Sequence, residues 1–148
     1  MKYEELKKKY NLPDYESLDN DFLIGEIDSE KYYLLKIKEK IAEKINAFLE
    51  ILEPVFQPDT SIIHIYEYRY KDDANKEKTY QIFKVLVKYK RYSEEIAITH
   101  DEEQIANFIR SFFEDYQKLK KPLKEVIKNL RESWDIETSI EEDLSYLG

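Results

Sequence analysis

The sequence predicts an all-α fold, a helical bundle around one long helix, and three observations carry that expectation. Charged residues make up 38% of the 148 positions, and glycine occurs only at Gly25 and Gly148. So few glycines leave little provision for tight hairpins or for phosphate-cradling loops. Over 29–56, apolar residues recur at helical spacing: Leu34, Ile37, Ile41, Ile45, Phe48 and Leu52 share one face. Leu35, Ala42, Leu49 and Ile51 widen the stripe, Lys36, Lys40, Glu43 and Glu50 take the wet side, and Pro54 falls where the pattern fades. A second strong stripe runs from Ile105 through Phe108, Ile109, Phe112 and Phe113 to Tyr116.

Each element follows from local chemistry. Lys2 to Tyr10 reads as a short helix ending at Asn11, and Pro13 prevents its continuation. Asp14 is placed to cap a second short helix, Tyr15 to Phe22, with Tyr15, Leu18 and Phe22 on one side. Neither is long enough to be stable alone in water, so both are expected to pack on the long helix. Gly25 lies in the connection, and Asp28 or Ser29 can cap the long helix.

The middle is ambiguous. Gln57-Pro58-Asp59-Thr60 resembles a helix start, with Asp59 or Thr60 as cap. Ser61 to Tyr70 is rich in β-branched and aromatic residues, and Phe83, Val85, Val87 and Tyr89 alternate with lysines. The connection 71–78 has no glycine and no turn pair, but offers an aspartate cap followed by helix formers. Ile82, Val85, Leu86, Tyr89, Tyr92 and Ile96 then form a helical stripe, so two helices are expected. The alternative is an α+β fold with a small three-stranded meander over residues 61–99.

Thr99 or Asp101 caps the next helix, and Pro122 is expected to interrupt it. Leu123, Val126, Ile127, Leu130 and Trp134 continue as another helix or a kinked extension. No repeat or long linker divides the chain, so one domain over 1–148 is expected, with a candidate docking tail at 136–148.

Composition bounds function. The absence of cysteine removes disulfides, thiolate nucleophiles and thiolate metal sites. No apolar run approaches the ~20 residues of a membrane span. The start, MKYEELKKKY, has charge but no apolar core, so a secretory signal is not expected and the cytoplasm is the expected location. The Lys-, Glu- and Ile-rich usage suits a protein from a hot or AT-rich organism.

Motifs for chemistry are missing. His64 and His100 have neither the Glu-x-x-His spacing of helical di-iron sites nor a His-Glu-x-x-His pattern, so no metal or cofactor is expected. There is no Gly-x-Ser-x-Gly elbow and no dinucleotide or Walker glycine pattern. Carboxylate pairs such as Glu94 with Glu95, or Asp19 with Asp21, arise in any helical chain with 32 acids and carry no weight. An enzyme with an unrecognised carboxylate site is the third reading.

Two features stand above that background. The net charge of −8 is unevenly spread: residues 1–30 sum to −5, 64–92 to +4 and 131–148 to −5. The basic, aromatic middle places Arg69, Lys84, Lys88, Lys90 and Arg91 beside Tyr66, Tyr68, Tyr70, Tyr89 and Tyr92, as single-stranded nucleic-acid binders do. Against that, tyrosines at a core edge with lysines snorkelling past them need no partner. The acidic tail carries Ile140, Leu144, Tyr146 and Leu147, the spacing of a segment that docks in a groove of a partner protein. It resembles in outline the peptide that DNA sliding clamps bind, without the glutamine or the paired aromatics. The simpler reading folds it back as a terminal helix with Ile140, Leu144 and Leu147 buried.

From Leu12-Pro13-Asp14-Tyr15, through the long helix and Gln57-Pro58-Asp59-Thr60, to Glu132-Ser133-Trp134 and the closing residues 143–148, the chain resembles a set of small uncharacterised archaeal proteins. That resemblance implies an archaeal cytoplasmic setting and a helical fold, and brings no activity with it. The leading expectation is a non-enzymatic interaction or adaptor protein acting through a protein partner, a second copy of itself included. The alternative is an accessory factor that binds RNA or DNA through the local basic, aromatic surface.

Overall fold

The computed structural model describes residues 2–70 and 73–145, and all regular structure among them is helical. The helices are α1 (Lys2–Tyr10), α2 (Tyr15–Phe22), α3 (Tyr33–Leu52), α4 (Ile62–Arg69), α5 (Asp73–Thr99), α6 (Glu102–Glu132) and α7 (Ile140–Ser145). Short 3₁₀ turns lie at Ile24–Glu26, Glu53–Val55 and Ser133–Asp135. The all-α expectation holds. The meander over 61–99 does not form among the described residues: the sequence of 71–78 has no glycine or turn pair, and Ile82, Leu86 and Ile96 are buried along a 27-residue helix.

Packing groups the chain into two compact units: Met1–Ala47 with Leu86–Lys118, and Phe48–Val85 with Leu119–Gly148. In the first unit Ile37, Ile41 and Ile45 of α3, Leu18 of α2 and Phe108, Ile109 and Phe112 of α6 are completely buried. Each such side chain contributes roughly 1.5–3 kcal/mol relative to exposure. Aromatic edges tie the elements together, with Phe22 at 5.9 Å and Tyr89 at 5.0 Å from the Phe112 ring. The buried Asp21 carboxylate accepts from Gln117 Nε2 at 2.8 Å, while the Lys44 ammonium donates to the Asp21 carbonyl. The same ammonium lies 5.3 Å from the Tyr116 ring centre and 5.7 Å from that of Phe22. Burial and the Asp115 carboxylate that accepts its hydroxyl push the Tyr89 phenol above its ordinary value.

In the second unit Leu52, Val55, Tyr66, Ile82, Leu123, Val126 and Leu130 are buried. Phe56 meets Tyr80 and Phe83 edge-on at 5.5 and 5.4 Å.

The helix ends differ from the expected caps in informative ways. Asp14 sits at the N-cap of α2, but its side chain accepts from Lys7 instead of a first-turn N–H. α3 begins at Tyr33 and not at Ser29, because the Ser29 hydroxyl accepts from the Lys31 N–H at 3.2 Å in a local turn. Tyr32 then takes φ 56°, and its carbonyl accepts from Lys36 N–H as the first helical bond. Ser61, not Asp59 or Thr60, is the N-cap of α4. Asp101 caps α6, accepting from the Gln104 N–H at 3.0 Å. Pro122 does not interrupt α6. Its missing N–H costs about 3 kcal/mol in a free helix, and buried Leu123, Val126 and Leu130 hold the chain helical beyond it.

Candidate functional site

The surface best suited to a partner is built in the second unit from α4, the turn Ser133–Asp135 and α7. α6 closes with the Ser133 hydroxyl donating back to the Leu130 carbonyl at 2.6 Å, a local bond that ends the helix and aims Trp134 sideways. Trp134 stacks on Tyr66 with ring centres 4.0 Å apart and planes 14° from parallel. The Tyr66 hydroxyl donates to the Ser133 carbonyl at 2.7 Å, and Trp134 Nε1 donates to Glu67 at 3.0 Å. These contacts fix one face of the indole and its N–H. The other face is open, with 44% of the residue exposed.

Other apolar side chains of the same unit lie uncovered. Ile136 is 45% and Ile140 73% exposed. On α4, Ile62 and Ile63 are more than half exposed, and Ile63 stands one turn before Glu67, on the face that holds the indole. The Ser139 hydroxyl accepts from the Glu142 N–H at 3.1 Å and starts α7. Arg69 Nη1 donates to the Glu142 carbonyl at 3.1 Å, so α4 anchors that helix. Asp135, Glu137, Glu141 and Glu142 are all exposed, giving the apolar surface an acidic rim.

The terminal helix is therefore not folded with Ile140 inward. Its tether is through Arg69 and the backbone, which leaves Ile140 in water. The other tail candidates differ in standing: Leu144 lies on α7, while Tyr146 and Leu147 fall outside the described residues. Sequence reading also missed Trp134, Tyr66 and Glu67 as a set. The chain distance of 67 residues between Glu67 and Trp134 gives no local signal.

The five cations of the basic middle divide between the units. Arg69 and Lys84 belong to the second, Lys88, Lys90 and Arg91 to the first. Most have intramolecular occupations. Arg69 lies over its neighbour Tyr70, and Lys84 Nζ is 5.7 Å from the Tyr80 ring centre. Lys90 donates to Asn46 Oδ1 at 3.0 Å, and Arg91 pairs with Glu94 at 2.6 Å, which holds that carboxyl below its ordinary range. Lys88 is exposed.

His64, Asp59 and Asp19 are likewise engaged by neighbours. Asp59 accepts from the Ser61 N–H at 2.9 Å and faces His64 Nδ1 at 2.9 Å; the backbone bond first, then the imidazole, lowers its pKa. Asp19 accepts from the Gly25 N–H at 2.7 Å. Among the described residues no group of three or more potential ligands is placed to hold a metal ion. Nor is any described helix long and apolar enough to cross a membrane.

The first unit contains a separate cleft of about 490 Å³. Leu6, Leu34, Leu35 and Ile105 form its apolar walls, with Tyr32, His100, Lys2 and Glu102 among the polar groups that line it.

No family model, curated protein or solved structure matches this chain.

Proposed function

We propose that this chain is a non-enzymatic interaction protein that engages a partner protein through the C-terminal face of its second unit. The observation that carries the reading is Trp134: held by Tyr66 and Glu67 on one side, it presents its other face to water beside exposed Ile63. A rigid aromatic with its rotamer already fixed loses little entropy on binding and is the kind of anchor that dominates interface energies. Ile136 and Ile140 add adjacent apolar area from the tail. The acidic rim selects a partner with an apolar groove edged by lysine or arginine. The setting we infer, from the resemblance to small archaeal proteins, is an archaeal cytoplasm.

The test is recovery of partners from an archaeal lysate, with and without nuclease, using the full chain, a version ending at Asp135 and the pair Ile136→Ser with Ile140→Ser. The reading expects a protein partner that survives nuclease and is lost with both variants. Recovery that collapses with nuclease and with charge reversal at Lys88, Lys90 and Arg91, while ignoring the tail, replaces it with nucleic-acid binding.

A further inference from the structure

Trp134 is the chain's only tryptophan, and its open face lacks a neighbour that comparable rings have. Among the described residues Tyr32, Tyr80 and Trp134 are the exposed large aromatic side chains, at 66, 44 and 44%. Lys31 lies over the Tyr32 ring at 5.3 Å, and Lys84 over the Tyr80 ring at 5.7 Å. No cation of the described chain lies over Trp134. Arg131, three residues earlier, is exposed and does not cover it. Yet indole is the ring that attracts a cation most strongly, through the negative face of its quadrupole.

The charges nearby have the sign that such a cation needs. Residues 131–148 sum to −5, and Asp135 follows Trp134 directly in the chain. The carboxylates of Asp135, Glu137 and Glu141 are exposed and form no ion pair or hydrogen bond with a described residue. The ring itself is already locked from behind, by the Tyr66 stack at 4.0 Å and the Glu67 bond to its N–H. It can accept a flat guest without rearranging. A guanidinium is planar and weakly hydrated, and while it stacks its edge N–H groups stay free for carboxylates; an ammonium is a compact, strongly hydrated point charge.

We propose that the open face of Trp134 is an arginine-binding site. A guanidinium presented by the partner protein stacks on the indole, and the unpaired carboxylates next in the chain, Asp135 first, supply its counter-charge. The inference rests on the partner reading above and narrows it, from a basic partner to one that presents arginine.

The experiment titrates the full chain with end-blocked tetra-arginine, tetra-lysine and tetra-citrulline peptides, at about 0.15 M salt so that general attraction to an acidic chain is screened. Emission excited beyond tyrosine absorption reports Trp134 alone. Tetra-arginine should shift that emission to saturation, about two- to fivefold more tightly than tetra-lysine, the increment that stacking adds at an exposed site. Tetra-citrulline, of the same shape without the charge, should leave it unchanged. By calorimetry, Trp134→Leu keeps apolar area but has no π face, and should bind the two cationic peptides equally. Unchanged emission with millimolar tetra-arginine, equal affinity for the arginine and lysine peptides in the native chain, or an arginine preference that survives Trp134→Leu each overturns the proposal. If these arms fail while the lysate partner is still lost with the tail variants, the arginine site falls and the partner reading stands. The three-peptide comparison uses the native chain, so it decides the question even where the variant does not fold.

Discussion

The two units spend their apolar residues differently. Of the large apolar side chains described in the first, Leu23, Tyr32 and Ile98 are exposed, while three helices bury an interlocked set of Ile, Phe and Tyr. The second exposes Ile51, Ile62, Ile63, Tyr80, Trp134, Ile136 and Ile140 over a smaller core. Scattered exposed apolar residues are ordinary, so the proposed partner surface rests on the hydrogen-bonded, half-exposed indole of Trp134 and not on their number. The first unit thus buries most of its large apolar side chains, and the second leaves more of them exposed.

The most forceful way to break that contrast is to empty one position in each. Phe112→Ala should cost about 3–5 kcal/mol in chemical denaturation, because the cavity lies among four rings that cannot collapse together. Trp134→Ala should cost only about 1–2 kcal/mol, the worth of one stack and one exposed hydrogen bond. Equal losses would refute that contrast.

Alkaline titration sharpens the same contrast. Burial raises the phenols of Tyr3, Tyr33, Tyr89 and Tyr116, all in the first unit. A folded pKa above the unfolded value gives stability that is complete below about pH 10 and is lost as pH rises through the folded values. Melting temperature should therefore fall above pH 10, and Tyr116→Phe should flatten that fall. A flat alkaline profile in the native chain would contradict the burial.

Smaller effects follow at the caps. Asp101→Ala should cost about 0.5–2 kcal/mol by thermal melting, since the Gln104 N–H loses its acceptor. Asp59→Asn in the second unit should do less. The Asp59 carboxyl is held below its ordinary value, so its contribution is present above the carboxylate range and disappears as pH falls through the folded pKa. The melting difference between native and Asp59→Asn proteins should therefore vanish in acid, and a difference that persists there would assign the effect to shape.

Much of the fold was legible because its signals are local. Asn11 and Pro13 end α1, the run Tyr15 to Phe22 is α2, and the stripe through Ile82, Leu86 and Ile96 decided helix over strand. Errors came where one side chain had two offers. Asp14 was free to cap α2 and went to Lys7; Ser29 was free to start α3 and closed a turn on Lys31 instead. Pro122 was read by its own chemistry, while the outcome depended on the packing of Leu123 and Val126. The candidate site was less legible still. Periodicity shows that Ile140 has an apolar side chain, not whether another element covers it. The burial of Lys38 was readable in principle, since it falls between Leu34 and Ile41 on the apolar stripe.

Gly25 carries a consequence for how this chain can vary over evolutionary time. Its torsion is one any residue could adopt, since no glycine described here has positive φ. What singles it out is room: a Cβ there would come within 2.9 Å of Asp19 Oδ1 and 3.3 Å of the Tyr15 hydroxyl. The N–H of residue 25 is bonded to that same carboxylate oxygen, so a bulkier residue strikes the atom that latches the turn after α2. In a saturation library, substitutions at 25 should be rescued by shortening the partner, Asp19→Ser or Asp19→Ala, and not by relieving backbone torsion. Positions 19 and 25 should then drift as a pair, a coupled clock within an otherwise permissive acidic stretch.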